Sequence, residues 1–183
     1  FAFRTASSFI DAPAGEDFDV VIQPSSSTDT TNALARFTYN LTEGETYLLV
    51  ANGIVSETGY DPATAFGIDV YAMGREEASM MGNTDVLVFH GSTDAPTVDV
   101  YESSIPAGTL VDNLEYSSFS DGYLELSTAD YTIDIQDETG NTTVASYQAP
   151  LSTLGLENSA LVVLASGFLN PEINSNGEAF GLY

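Results

Sequence analysis

Apolar and polar residues alternate with a period of two along much of this chain. Tyr131, Ile133 and Ile135 alternate with Thr132, Asp134 and Gln136, the spacing of a strand that buries one face. Val98 and Val100 alternate in the same way with Asp99 and Tyr101. Residues 137–141 read Asp-Glu-Thr-Gly-Asn; Gly and Asn accept positive φ, so this predicts a hairpin turn leading into a second strand over 142–147. Residues 47–51 and 161–165 are continuous apolar runs bounded by polar residues and a Gly, which predicts central strands buried on both faces. No stretch repeats every 3.6 residues. Short strands separated by Gly, Pro, Asp and Asn turns predict an all-β sandwich.

The pattern occurs twice. Residues 18–23 (FDVVIQ) align with 131–136 (YTIDIQ), Leu34, Ala35 and Phe37 with Val144, Ala145 and Tyr147, Ala51 and Gly53 with Ala165 and Gly167, and Phe66-Gly67 with Phe180-Gly181. The expectation is therefore a tandem of immunoglobulin-like β-sandwich domains, an incomplete one over 1–82 and a complete one over 83–183. The first has counterparts to the chain from about residue 115 onward and none to 86–114, so it lacks its N-terminal strands. Residues 71–82 then form a terminal strand and a short linker. A sandwich without its first strands exposes backbone edges and an apolar groove. Residues preceding Phe1 would complete it, or a strand from a neighbouring molecule, which would build an open fibre head to tail.

Charge narrows the partners. The chain has 27 Asp and Glu against three cationic residues, Arg4, Arg36 and Arg75, for a formal net charge of −24, and it has no Lys. Nucleic acid and anionic lipid depend on Lys or Arg displacing counterions, so both are excluded as partners. Membrane insertion is not expected, because the longest strongly apolar run is residues 160–165 and a spanning helix needs about 18. Cys and Trp are absent, which removes disulfide and thiolate-metal chemistry. Self-repulsion at this charge is relieved by salt or bound cations, which fits an extracellular or cell-surface location.

Residues 86–101 read Val-Leu-Val-Phe-His-Gly-Ser-Thr-Asp-Ala-Pro-Thr-Val-Asp-Val-Tyr. This resembles the opening signature V-x-V-x-H-x-S-x-D-A-P-x-V-D-V-Y of the domain-of-unknown-function family 4397. The likeness continues in Gly122-Tyr123-Leu124-Glu125-Leu126 and in Tyr131-Thr132-Ile133-Asp134-Ile135. The family's Pro-Ala-Gly turn is replaced by Ser127-Thr128-Ala129-Asp130 in the second copy, whereas the first keeps Pro13-Ala14-Gly15. The resemblance implies an immunoglobulin-like module repeated in secreted and surface proteins of bacteria and archaea, with no assigned activity and no functional residues to carry over.

Few residues offer chemistry. His90, Ser92 and Asp94 fall on one strand face, but neighbours there stand about 7 Å apart and a nucleophilic triad needs contacts of about 3 Å. The expected roles are structural, with Asp94 bonding amides of its own Asp-Ala-Pro turn and Asp99 reaching His90 or a backbone group. Calcium ligands, if present, come from Asp94, Asp99, Asp134, Asp137 and Glu138; none follows a calcium-hand spacing. Tyr60, Tyr101 and Tyr116 are candidate exposed rings for sugar stacking, and Asn40 and Asn141 head N-x-T motifs. With one His, no Cys and no Lys, the chain reads as a non-enzyme that needs no cofactor apart from that optional calcium. The expected function is a structural or adhesive repeat of a cell surface or fibre, associating with itself or with neighbouring repeats of a longer chain. The alternative is a module binding carbohydrate or another surface ligand, such as a surface polysaccharide, with calcium.

Overall fold

The alternation registers directly as strands. A computed structural model describes every residue except Asn32, Glu57 and Pro106. Its strands are β1 (Asp17–Ile22), β2 (Ala35–Asn40), β3 (Tyr47–Asn52), β4 (Gly67–Ala72), β5 (Asn83–His90), β6 (Val98–Glu102), β7 (Gly108–Leu114), β8 (Leu124–Ser127), β9 (Asp130–Asp137), β10 (Thr143–Pro150), β11 (Ala160–Ser166) and β12 (Gly181–Leu182). Among the described residues the only helical element is a 3₁₀ turn at Pro171–Ile173. The protein is all-β.

The second half contains two four-stranded sheets, in the orders β10-β9-β6-β7 and β12-β11-β5-β8. Between them lie Val86 and Val88 of β5, Val98 and Val100 of β6, Val111 and Leu114 of β7, and Tyr131, Ile133 and Ile135 of β9. Each of these branched or aromatic side chains contributes about 1.5–3 kcal/mol by leaving water, so this sandwich-like layer is the main apolar store of the molecule. β5 runs parallel to β11, from Asp85↔Ala160 to His90↔Ala165, while the other sheet is antiparallel throughout.

The first half holds two hairpins, β1-β2 and β3-β4. Their registers recur in the second half. Val20↔Phe37 corresponds to Ile133↔Tyr147, and Ala51↔Ile68 with Asn52↔Gly67 corresponds to Ala165↔Leu182 with Ser166↔Gly181. Phe37 meets Phe66 with ring centroids 6.2 Å apart, as Tyr147 meets Phe180 at 6.5 Å. Parallel bridges Ile54↔Ala65 and Phe168↔Ala179 complete the match. What differs is the other side of each strand: β9 also pairs with β6, and β11 with β5, whereas among the described residues β1 and β3 pair only with their hairpin partners.

That difference corrects one expectation. The apolar run 47–51 reads as a central strand, yet β3 is an edge strand, and Leu49 and Val70, which share a face, are 37% and 38% exposed. Apolar composition records what a face requires, and no strand beside β3 meets that requirement. No described residue before Thr84 is buried.

The opposite face of β3-β4 is covered. Leu48, Val50 and Tyr71 share it by register, and Tyr71 packs against Phe119 (5.2 Å) and edge-on to Tyr123 (6.0 Å), with Phe119 in turn 4.6 Å from Phe89 of β5. Consequently Leu87 and Phe89, which point away from the sandwich interior, are as buried as Val86 and Val88. Ser117 Oγ donates to Asp69 at 2.7 Å at one end of this contact, and Arg75 closes the other by reaching Asp85 and Glu125.

Candidate functional site

The densest polar constellation sits where β5 ends. His90 is fully buried; its Nε2–H donates to the Pro96 carbonyl at 3.0 Å, which leaves Nδ1 to accept the Ser92 N–H at 3.4 Å. Burial pushes the imidazole below its ordinary pKa, against the opposing pull of the Pro96 carbonyl. The ring is neutral and faces Tyr116 edge-on at 6.2 Å.

Ser92, also fully buried, donates its hydroxyl to the Gly167 carbonyl at 2.6 Å. Asp94 accepts the N–H of Leu169 (2.9 Å) and Asn170 (2.8 Å) and the side-chain amide of Asn174 (3.1 Å). The amides that Asp94 satisfies therefore lie 75 and 76 residues away, not in its own turn. The group ties the end of β5 to the segment after β11. It lacks a nucleophilic arrangement, because the Ser92 proton is committed to a carbonyl and the imidazole faces Pro96.

The calcium candidates do not converge. Asp99, 4% exposed, accepts the Asn113 N–H at 2.7 Å and makes no bond to His90. Asp134 accepts from Ser146 Oγ at 2.5 Å on the outer face of its sheet. Asp137 organises the β9–β10 turn by accepting from Thr139 Oγ (2.6 Å) and the amides of Thr139 and Asn141. The hydroxyl bonds lead in drawing its carboxyl down to about 2. Glu138 is exposed at that turn. Among the described residues no three His, Asp or Glu side chains are grouped to hold a metal ion.

The three tyrosines proposed as exposed rings are each half-buried. Tyr60 lies 5.8 Å from Phe168, Tyr101 pairs across the strands with Asp134, and Tyr116 belongs to the His90 environment. Asn40 donates its amide to Asp17 at 2.8 Å, and Asn141 to the Thr139 carbonyl at 2.9 Å.

Two buried acids escape a reading by pattern. Glu102, 1% exposed, gathers the amides of Ser104 and Ile105 and the Ser104 hydroxyl, so it shapes the β6–β7 connection. Asp85, fully buried, accepts from Arg75 and from the Ser79 N–H at 2.8 Å. Burial raises its carboxyl, and these two donors more than offset that, holding it below the ordinary value. The scarcity of cations was the available signal for Arg75: three Arg cannot sit idle among 27 acids.

Two clefts open on the surface. One, of about 440 Å³, runs between β7 and residues 118–122, with Asp112, Glu115 and Asp121 at its rim. The other, of about 370 Å³, lies in the first half between the start of β2 (Leu34, Ala35) and the segment after β3 (Ile54, Val55, Ala65, Phe66). Its lining side chains are mostly aliphatic, and Leu34 and Val55 are 53% and 54% exposed there.

Comparison with curated proteins and with solved structures returns no match. Residues 84–173, which hold the His90 to Asp94 constellation and both four-stranded sheets up to the 3₁₀ turn, match the family model described as Domain of unknown function (DUF4397). Through its second half the chain belongs to the DUF4397 family.

Proposed function

We propose that this protein is an extracellular, non-enzymatic structural or adhesive element of a cell surface or fibre, built from tandem immunoglobulin-like repeats and joined to its neighbours by strand complementation. The observation that carries the reading is the unpaired edge of β3 beside exposed Leu49 and Val70. An apolar strand edge of this kind is an aggregation hazard unless an intended partner covers it. The polar groups of the family signature support the same reading, since His90, Ser92 and Asp94 are spent on backbone partners. A charge of −24 keeps such a surface free of nucleic acid and anionic lipid.

The second reading, a module for carbohydrate or another surface ligand, draws on the outer face of the β10-β9-β6-β7 sheet. There Tyr101, Asp134 and Ser146 form one cross-strand row, with Thr132 and Gln148 in the next. Retention on a polysaccharide column, lost in Y101A, would favour it.

Electron micrographs of the native assembly test the first reading. It expects ordered filaments or multimers. Dispersed monomers with a fully ordered first half would contradict it.

A further inference from the structure

The second half of the chain shows what lies beside each strand that the first half leaves unpaired. β11 has β12 on one side and β5 on the other, in parallel register over six residue pairs. β3 has β4 in the place of β12 and, among the described residues, nothing in the place of β5. β5 is also flanked by β8, antiparallel from Asn83↔Ser127 to Val86↔Leu124. The counterpart of β8 is the stretch before β1, residues 9–12. It forms no strand, and Phe9 and Ile10 in it are 47% and 80% exposed. One strand laid parallel to β3 would therefore stand where β5 stands beside β11; the edge of β1, open where β9 has β6, is the place of a different strand.

The side chains agree with the edges. Leu49 and Val70 lie on the face that corresponds to the interior of the second sandwich, where Val163 packs against the core. At the end of that face the 370 Å³ apolar cleft opens between the hairpins. The strand that fills the matching place in the second half, β5, turns Val86 and Val88 inward and carries no charged residue from Val86 through Thr93 with His90 neutral. The acids flanking it, Asp85 and Asp94, fall outside the stretch that would pair with residues 47–51, so that stretch itself adds no charge to a −24 surface.

We infer that the open edge of β3 is an acceptor site for an extended polypeptide strand of the Val-x-Val-x-His type, running parallel to β3 and supplied by a neighbouring repeat of the same pattern. This rests on the structural-repeat reading above and supplies its partner. A second copy of this chain is not the donor, because its own β5 is locked in place: Thr84, Asp85, Leu87 and His90 are fully buried. Backbone bonding along the edge gives affinity, and the alternate aliphatic residues give selectivity.

The probe is a synthetic peptide of residues 84–95 added to the full chain, with binding followed by NMR. Saturable binding is expected, with shifts confined to β3 and residues 9–12. It should weaken at least tenfold when the peptide carries Val86→Lys and Val88→Lys, and equally when the chain carries L49E and V70E. Neither chain position is buried, so that variant keeps its fold, checked by an unchanged melting of the second half. No binding at millimolar peptide, or binding indifferent to these changes, overturns the site; filaments in the native assembly would then leave the structural reading standing. A purified chain that multimerises by itself through Leu49 and Val70 overturns the choice of donor.

Discussion

The guanidinium of Arg75, in the connection between β4 and β5, reaches the fully buried carboxylate of Asp85 and, at 2.9 Å, the more exposed Glu125, while lying 4.8 Å over the Tyr123 ring. Among the described residues Asp85 Oδ1 has no hydrogen-bond partner, so the cation is the main compensation for a charge taken out of water. Replacing Arg75 by Met leaves that charge with the Ser79 amide alone. Loss of a buried partner costs 3–5 kcal/mol in full burial; with Arg75 about a third exposed, about 2 kcal/mol is expected. Urea unfolding measures it, and R75M with D85L should lose less than R75M alone.

Gly53 and Gly167 occupy equivalent places after β3 and β11, at φ +84 and +91. A Cβ at Gly53 would stand 2.8 Å from the Ala65 carbonyl carbon, and one at Gly167 2.7 Å from that of Ala179. Both the positive φ and the contact forbid a side chain. G53A and G167A should each destabilise by about 2–4 kcal/mol. G53A should release only the first-half signals in an NMR spectrum, whereas G167A should lower the main thermal transition. A harmless G53A would show that the two loops are not equivalent.

His90 gives a pH dependence of definite sign. Its folded pKa is depressed by burial, so the unfolded state binds the extra proton. Stability is complete above the ordinary imidazole value of about 6.5 and falls as pH drops below it, by up to about 1.4 kcal/mol per pH unit. The groups facing the ring are the Pro96 carbonyl, the Ser92 amide and the Tyr116 ring. The carboxyls held low, Asp19, Asp29, Asp85, Glu102, Asp130 and Asp137, lose their contribution in a more acid window. Melting between pH 7.5 and 5 should fall in the native chain and fall less in H90N. As the sole His, its NMR titration is unambiguous.

Salt should stabilise the fold. All three cations are engaged: Arg4 donates to the Ser166 and Ala179 carbonyls and stacks 3.7 Å over Tyr183, Arg36 pairs with Asp19 at 2.6 Å, and Arg75 is described above. The excess of acids is left to screening. Raising sodium chloride from 0.1 to 2 M should raise the melting temperature by about 5–10 °C. Calcium at matched ionic strength should add nothing, since Asp94, Asp99, Asp134 and Asp137 are engaged with different partners and Glu138 is exposed at the β9–β10 turn.

Period and turn chemistry were enough to read β6, β9, the β9–β10 hairpin and β11, because each is decided within a dozen residues. The strand β5 was harder: Val86 to Phe89 is continuously apolar since one face meets the sandwich interior and the other the Tyr71 and Phe119 rings. Its parallel pairing with β11, some 75 residues away, leaves no local mark. The same non-local cause hid the partners of Asp94, and the run at β3 looked like β11 because both were composed for a covered edge.

The most direct test of the central claim is amide hydrogen exchange on the purified chain, comparing β1 and β3 with their counterparts β9 and β11. An open first half predicts that β1 and β3 exchange at least about a hundredfold faster, and that the residue 84–95 peptide slows β3 selectively. Equal protection of the two pairs in the isolated chain would contradict the claim.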